Sequence, residues 1–297
     1  MNQFGDLSAL TASLTSDREF PFDDKHFQFL RERAGALAGI SLSNAKRELV
    51  YGRIARRIRA LKLSGFDAYC TLLEKHPEQE LGYFINAITT NLTSFFREDH
   101  HFDFLAETLV PFWMRNRGPK PRIRIWSAGC STGEEPYSIA MTLQESLPAS
   151  VAREARILAT DIDTNVLEQG ATGIYDLERV QHMEASRLKR FFKRGRGPNE
   201  SKVRVLPELQ EMIEFRHLNL MSTWPVHGPL DLIFCRNVVI YFDKPTQRRL
   251  FERFAEVLAP DGYLIIGHSE SLYSVSTDFE LVGRTIYRKQ SRGEVQK

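Results

Sequence analysis

The chain has 297 residues, of which 42% are hydrophobic, and it carries 40 Lys and Arg against 38 Asp and Glu. This length and apolar fraction fit an ordinary globular protein of one or two domains, with one large core and a small one. The formal net charge of +2 excludes a global electrostatic attraction to nucleic acid or membranes. A charge-driven partner would have to bind a local patch.

Residue types also argue against secretion and metal binding. Charged residues recur through the first thirty positions, so neither a signal peptide nor a membrane span is predicted there. The three cysteines show no C-x-x-C spacing, which predicts neither a disulfide framework nor a zinc site, and no metal is expected. Free thiols fit a reducing compartment, and we predict a cytoplasmic location.

The N-terminal third is predicted to be helical. Residues 1–20 lack helical or strand periodicity and are interpreted as a flexible lead-in. Over residues 21–90 apolar side chains recur at helical spacing, as in Val50, Ile54 and Ile58, with Gly and Ser at the breaks. This pattern predicts a small all-α domain.

After a linker with a helix at residues 91–120, short β-branched apolar runs alternate with amphipathic helices. This alternation over residues 121–290 predicts a doubly wound α/β domain with a mostly parallel sheet, followed by a tail at 291–297. The basic, turn-rich stretch from about 174 to 216 is too long for a simple connection and predicts a small inserted subdomain. The predicted strands are 123–126, 157–160, 213–218, 232–235 and 263–267.

A glycine-containing turn and an acidic strand end indicate a nucleoside site. Residues 124–137 fit a strand, a small-residue turn and a helix start, and Gly129 would let the backbone approach a ligand closely. Asp161 ends the next predicted strand, where its carboxylate can accept both hydroxyl hydrogens of a ribose. The alternative is that Asp161 or Asp163 only caps the following helix.

The charge of this turn discriminates among nucleoside cofactors. The glycine spacing is not G-x-G-x-x-G, and Glu134 and Glu135 occupy the helix start that a pyrophosphate would need. A cofactor without phosphate and with a positive centre fits better, which predicts S-adenosyl-L-methionine. Glu135 is the candidate ligand for its cationic groups, unless it only stabilises the helix dipole.

The same turn also allows a competing interpretation. The run Gly129-Cys130-Ser131-Thr132-Gly133 matches the G-x-S-x-G nucleophile elbow of α/β-hydrolases, and His268 follows in the appropriate order. Acidic residues directly after the elbow would oppose a developing oxyanion, and no HGGG-type donor loop precedes it. A serine hydrolase is therefore the weaker alternative.

Four motifs, in order, resemble those of the CheR family of chemotaxis receptor glutamate methyltransferases. They are residues 89–97 (TTNLTSFFR), 131–138 (STGEEPYS), 161–163 (DID) and 234–243 (FCRNVVIYFD). The resemblance runs from about residue 23 to 287. It implies a class I methyltransferase-like, Rossmann-like fold and an enzyme that converts glutamate side chains of chemoreceptors to methyl esters for adaptation.

Position by position, the resemblance implies a cofactor pocket and an acceptor site. Arg97 and Tyr241 would face the methyl acceptor and are the catalytic candidates. Residues 91–120 would cover the cofactor. The cofactor-binding residues implied are Asn91, Thr93, Arg97, Gly129, Glu135, Asp161, Asn219, Leu220, Arg236 and Asn237.

A basic helix suggests how the substrate is bound. Seven cations against one acid occupy residues 44–62, and the cations lie largely opposite an apolar face. Such a run is either a solvated face or a docking face for an acidic helical partner. The resemblance identifies that partner as the cytoplasmic helical bundle of chemoreceptors. The docking candidates are Arg53, Arg56, Arg57 and Arg59.

The insert contains a second docking candidate. Gly195, Arg196 and Gly197 resemble the turn of family members that bind an aromatic-acidic pentapeptide at the receptor C-terminus, which would add a strand to the insert. The alternative is an ordinary basic hairpin turn. The receptors, rather than direct membrane insertion, would then bring the protein to receptor arrays.

The sequence also bears on two other functions. A nucleic-acid methyltransferase is disfavoured because residues 235–238 (CRNV) do not form an Asn/Asp-Pro-Pro-aromatic motif, so no nucleic-acid partner is predicted. A non-catalytic module that only senses S-adenosylmethionine remains open.

Overall fold

A computed structural model describes residues 18–290. The chain divides into two compact units whose boundary lies between Ile88 and Thr89. Apart from residues 18–20, the predicted lead-in lies outside the described residues, as does the predicted tail at 291–297.

The N-terminal unit is all-α, as predicted. Its first helix begins with a capping box in which the Asp23 carboxylate accepts from the His26 backbone N–H and His26 Nδ1 accepts from the Asp23 N–H. Gly39, with φ +70°, ends that helix in the left-handed conformation. Within residues 18–88 the α-helices are α1 (Asp24–Ala38), α2 (Arg47–Leu61), α3 (Phe66–Lys75) and α4 (Pro77–Ile88).

A buried ion pair joins α2 to α4. Arg57 donates from Nε and Nη2 to the two carboxylate oxygens of Glu80, at 2.8 and 2.7 Å, and the Tyr69 hydroxyl donates to the same carboxylate at 3.0 Å. The Glu80 side chain is 2% exposed. The pair contributes to stability mainly because removing one partner would leave the other charge without compensation.

Replacing Glu80 with alanine is therefore expected to destabilise the N-terminal unit by about 3 kcal/mol. The urea midpoint followed by far-ultraviolet circular dichroism measures this loss. Glu78→Ala, on the exposed side of α4, is the matched control and should change stability by less than about 0.5 kcal/mol. A Glu80 variant as stable as the control would contradict the assignment.

The second unit contains a seven-stranded sheet whose strands are β1 (Arg124–Ala128), β2 (Arg156–Asp161), β6 (Ile213–His217), β7 (Leu230–Cys235), β8 (Leu258–Ile266), β9 (Phe279–Gly283) and β10 (Ile286–Lys289). Their order in the sheet is β6-β2-β1-β7-β8-β10-β9. The first five strands in this order run parallel, and β10 pairs antiparallel with both β8 and β9. Ile125, Ile157 and Phe234 point into one core layer, and Trp126 and Ile233 point into the other. Helices therefore cover both faces, and the predicted doubly wound fold is confirmed.

In the described part of this unit, residues 89–290, eight α-helices accompany the sheet. They are α5 (His100–Phe104) and α6 (Val110–Asn116), joined by a π-helical turn (Leu105–Leu109), then α7 (Glu134–Ser146), α8 (Ala149–Ala152), α9 (Thr164–Thr172), α10 (Ala185–Phe191), α11 (Pro207–Gln210) and α12 (Lys244–Val257). From β1 the sheet extends in opposite directions through β2 and β7. A crevice is expected at the carboxyl ends of the strands at such a point.

The predicted insert forms a separate antiparallel sheet in the order β3-β5-β4. Its strands are β3 (Ile174–Asp176), β4 (Phe192–Arg194) and β5 (Lys202–Val205). The boundary predicted at about 216 is too late, because Ile213–His217 pairs in parallel with β2 as the edge strand of the large sheet. The insert therefore ends before β6.

No helix among residues 18–290 is long and apolar enough to span a membrane. Cys70, Cys130 and Cys235 are free.

Candidate active site

The turn after β1 approaches the end of β2 closely. Gly129 has φ +87°, and a Cβ there would lie 2.4 Å from Val238 Cγ2, so only glycine fits. The N–H groups of Gly129 and Cys130 both donate to the Thr160 carbonyl, at 2.8 and 2.9 Å. These bonds bring the backbone N–H of Ser131 to the next side chain of β2.

That side chain is Asp161, which is 8% exposed. Its Oδ2 accepts from the Ser131 N–H at 2.8 Å and its Oδ1 from the Asp163 N–H at 3.0 Å. Burial raises the pKa of Asp161, and these backbone hydrogen bonds oppose the shift. Each oxygen retains accepting capacity, so the carboxylate can receive two further hydroxyl donors.

Asp163, not Asp161, caps α9. The Asp163 Oδ1 accepts from the Asn165 N–H at 2.9 Å, while its Oδ2 accepts from Thr89 Oγ1 at 2.9 Å and Asn91 Nδ2 at 2.7 Å. The Ser131 hydroxyl donates to the Asn91 carbonyl at 2.9 Å. Residues 89–91 thus lie across the β1 turn, and the capping alternative applies to Asp163 alone.

A second buried carboxylate lies beneath the turn. Glu135 Oε1 accepts from Ser127 Oγ at 2.7 Å, and its Oε2 accepts from Arg236 Nη1 at 3.0 Å. Burial raises the pKa of Glu135 against the opposing effect of Arg236. The Nε of Arg236 is buried and has no hydrogen-bond partner among the described residues.

The segment 92–97 and the residues that follow β7 meet where Arg236 bonds to Arg97. Arg97 Nη1 donates to the Leu92 carbonyl at 2.9 Å, and Arg236 Nη2 donates to the carbonyl of Arg97. Thr93 belongs to the same segment, and its carbonyl accepts from Arg179 of the insert at 3.4 Å. Arg97 is 29% exposed, so its guanidinium remains accessible.

The remaining predicted site residues follow β6 and β7. Leu218 N–H donates to the Asp161 carbonyl at 2.9 Å, which places Asn219 and Leu220 directly after the strand end beside Asp161. The Asn219 side chain accepts from the Met221 N–H at 2.9 Å. Asn237 and Tyr241 follow β7.

Asn237 has φ +58°, and its N–H donates to the buried carboxylate of Glu270 at 2.9 Å. Tyr241 ends the short helical turn Val239–Tyr241 and is half-buried. Glu270 also accepts from the Gly267 N–H at 2.6 Å. Sequence reasoning did not identify Glu270, because its partners Asn237 and Ile240 lie 33 and 30 residues earlier in the chain.

The geometry does not support a serine hydrolase. Ser131 donates to the Asn91 carbonyl, whereas His268, its candidate base, pairs with Glu98 through Nδ1 at 2.8 Å. The Ser131 N–H already bonds to Asp161. The hydrolase alternative is therefore not supported.

The predicted docking arginines differ in their surroundings. Arg57 is held by Glu80, and its guanidinium lies 3.8 Å from the centre of the Tyr83 ring. Arg53 donates to the Ala87 carbonyl at 3.2 Å. Arg59 lies 3.5 Å from a carboxylate oxygen of Glu19. Arg56 is exposed on α2.

The predicted turn of the insert follows edge strand β4. Gly195 N–H donates to the Lys202 carbonyl at 2.9 Å, and a Cβ on Gly195 would lie 2.0 Å from the Asn199 carbonyl oxygen. Gly197 has φ +56°, and Arg196 is exposed. A surface groove of about 470 Å³ runs along β4 and β5. Its basic lining residues are Lys193, Arg194, Lys202 and Arg204.

His101, fully buried beside the site, makes stability depend on pH. Burial and the nearby Arg236 lower the pKa of His101 to about 3. Below the unfolded value of about 6.5 the unfolded chain binds a proton that the folded protein does not, so the free energy of unfolding decreases as pH falls.

His101→Gln is expected to remove this contribution, which amounts to about 2 kcal/mol between pH 7 and pH 5. Urea unfolding of both proteins at these two pH values measures the difference. Because every other titrating group is common to both proteins, parallel pH dependences would contradict the prediction.

The carboxylates of this site fit one kind of cofactor. Asp161 can accept from a ribose diol, and the Glu135 carboxylate at the start of α7 suits a cationic ligand rather than a pyrophosphate. The fold and these residues define an S-adenosylmethionine-dependent methyltransferase of class I type.

Comparison with known proteins identifies the family. The all-alpha domain of the CheR methyltransferases matches residues 25–89, and their SAM binding domain matches residues 91–288. Chemotaxis protein methyltransferase 2 of Pseudomonas aeruginosa is 50% identical over 91% of this chain and 95% of its own length. The chemotaxis protein methyltransferase of Escherichia coli is 46% identical over 89% and 90%. The chain belongs to the CheR family, and S-adenosylmethionine is its cofactor.

Proposed function

We propose that the protein transfers the methyl group of S-adenosylmethionine to glutamate side chains of chemoreceptors and forms glutamate methyl esters. The accessible guanidinium of Arg97 beside the cofactor residues carries this proposal, because it is suited to bind a carboxylate. The names of the relatives support a chemotaxis substrate.

The reaction requires positioning more than proton transfer. A glutamate side chain with a pKa near 4.3 is already ionised at neutral pH. One carboxylate oxygen attacks the methyl carbon, and the electron pair of the broken carbon–sulfur bond remains on sulfur. Opposite charges disappear in this step, which a site with little water favours.

In this proposal each predicted residue has a role. Asp161 holds the ribose hydroxyls, Glu135 the cationic end of the cofactor, and Asn219 and Leu220 the adenine. Gly129 permits close backbone approach. Asn91, Thr93 and Arg97 close over the cofactor, and Arg236 and Asn237 complete its pocket. Arg97 and Tyr241 face the acceptor.

Two surfaces are proposed to bind the receptor. The exposed cations of α2, Arg56 and Arg59 foremost, would attract an acidic helical bundle. The groove beside edge strand β4, with its basic lining, would accept an acidic pentapeptide as an added strand at Gly195, Arg196 and Gly197. The protein would then act in the cytoplasm and reach membrane arrays through its receptors.

Methyl-labelled S-adenosylmethionine and receptor-containing membranes test this function. Base-labile release of volatile methanol from protein is the expected result. Base-stable label would indicate another acceptor. Cofactor binding without transfer would indicate the sensing module. Deletion of the last five receptor residues should raise the KM for the receptor if the insert binds that peptide.

A further inference from the structure

The backbone on both sides of Arg97 adopts a conformation that side-chain-bearing residues rarely take. Phe96 has φ +52° and Glu98 has φ +58°. Left-handed backbone at non-glycine residues costs free energy and persists only where the surroundings impose it, often at functional sites. The contacts that hold this turn are therefore relevant to how Arg97 is presented.

Glu98 makes most of these contacts. Its Oε1 accepts from His268 Nδ1 at 2.8 Å, and its Oε2 accepts from the His268 N–H at 3.1 Å. Arg236 Nη2 lies 3.4 Å from Oε2, and His101 Nδ1 lies 3.6 Å from it. The side chain is only 10% exposed. One carboxylate thus connects the turn to the residues that follow β7 and β8.

The carboxylate is ionised at neutral pH. Burial opposes its ionisation, but the hydrogen bond from His268 and the charge of Arg236 outweigh burial and hold the pKa of Glu98 below its usual range. A bare carboxylate here would repel an acceptor carboxylate. Its bonds to His268 and Arg236 compensate its charge, which leaves the Arg97 guanidinium to attract the acceptor.

Glu98 also fixes Arg97 from two directions. Oε1 lies 4.0 Å from Arg97 Nε, and Arg236, which pairs with Glu98, donates to the carbonyl of Arg97. We propose that Glu98 is a positioning residue of the methyl transfer, which through Arg236 and His268 holds Arg97 in the geometry that receives the acceptor carboxylate. This inference rests on the proposed function, since that function assigns the acceptor to Arg97.

Glu98→Gln tests the proposal because glutamine keeps the size of the side chain and removes its charge. We expect kcat/KM for receptor methylation to fall at least about 30-fold, while the calorimetric Kd for S-adenosylmethionine changes less than about threefold. Glu98→Gly, which relieves the positive φ but has no carboxylate, should lose as much activity. Glu252→Gln, an exposed glutamate of α12 in the same unit, is the matched control.

A double-mutant cycle distinguishes positioning from a general structural effect. If Glu98 acts through Arg97, the loss caused by Glu98→Gln should shrink at least about threefold in an Arg97→Lys background. The proposal would be overturned if the kcat/KM losses of the two single variants multiplied fully in the double variant. It would also be overturned if kcat/KM of Glu98→Gln stayed within about twofold of wild type. A wild-type enzyme that releases no base-labile methanol would instead refute the proposed function.

Discussion

Replacing Asp161 with alanine is expected to weaken S-adenosylmethionine binding at least about 100-fold. Hydrogen bonds to a charged group contribute about 1.5–3 kcal/mol each, so two ribose hydroxyls account for about 3–6 kcal/mol. The variant also leaves the N–H groups of Ser131 and Asp163 without their acceptor, which disturbs the turn after β1. Isothermal titration calorimetry measures the affinity directly.

Two further variants make the result specific. Asp161→Asn keeps one carbonyl acceptor and should bind with intermediate affinity. Glu168→Gln removes an exposed carboxylate from the neighbouring α9 and should bind the cofactor like wild type. If the alanine variant binds within about threefold of wild type, Asp161 does not hold the cofactor.

Local sequence patterns were sufficient for the fold. The central parallel strands β1 and β7 are short, mostly apolar runs, because helices bury them on both faces. The turn after β1 was predictable since Gly129 and Gly133 both adopt positive φ there, which local sequence expresses directly as glycine. Asp161 was identifiable because it directly ends a buried strand, which local sequence also expresses.

The end of the insert was misplaced because β6 is an edge strand. Its residues alternate between partial burial and exposure, with Glu214 and Arg216 facing solvent. Such a strand resembles the polar strands of the insert that precede it. The strand itself was predicted correctly at 213–218, but the predicted insert overlapped its start, because local sequence does not express the parallel pairing with β2.

The sequence likewise did not predict which charged side chains pair with each other. Arg57 belongs to a basic run that suggests a uniform docking face, yet Glu80, 23 residues away, binds it. Glu98 and His268 are separated by 170 residues, and His268 entered the sequence analysis only as a candidate base for Ser131. Periodicity reports which face of a helix is buried but not which charges meet across the fold.

The pairing of Arg57 with Glu80 affects how receptor docking at α2 can be measured. Arg57 has a structural role through Glu80, so its substitution would lower stability and receptor binding together. Arg56 is exposed, and its substitution would report on docking alone. Measurements on the basic helix therefore need variants at Arg56 to separate the two effects.

Arg97→Ala is expected to lower kcat/KM for receptor methylation at least about 100-fold. Truncating one partner of a desolvated charge pair costs about 2–5 kcal/mol, and each 1.4 kcal/mol is a factor of ten. Arg97→Lys keeps the charge but not the planar fork of donors, so its activity should be intermediate. The loss should appear with saturating cofactor, in the base-labile methanol assay.

The fold should tolerate this change, because Arg97 is 29% exposed and its guanidinium donates to the backbone carbonyl of Leu92. Arg153→Ala, an exposed arginine that precedes β2 in the same unit, is the matched control and should transfer methyl groups at the wild-type rate. Near-normal turnover by Arg97→Ala would mean that another cation receives the acceptor. Arg236 is poorly suited to replace it, since its guanidinium is already committed to Glu135 and Glu98.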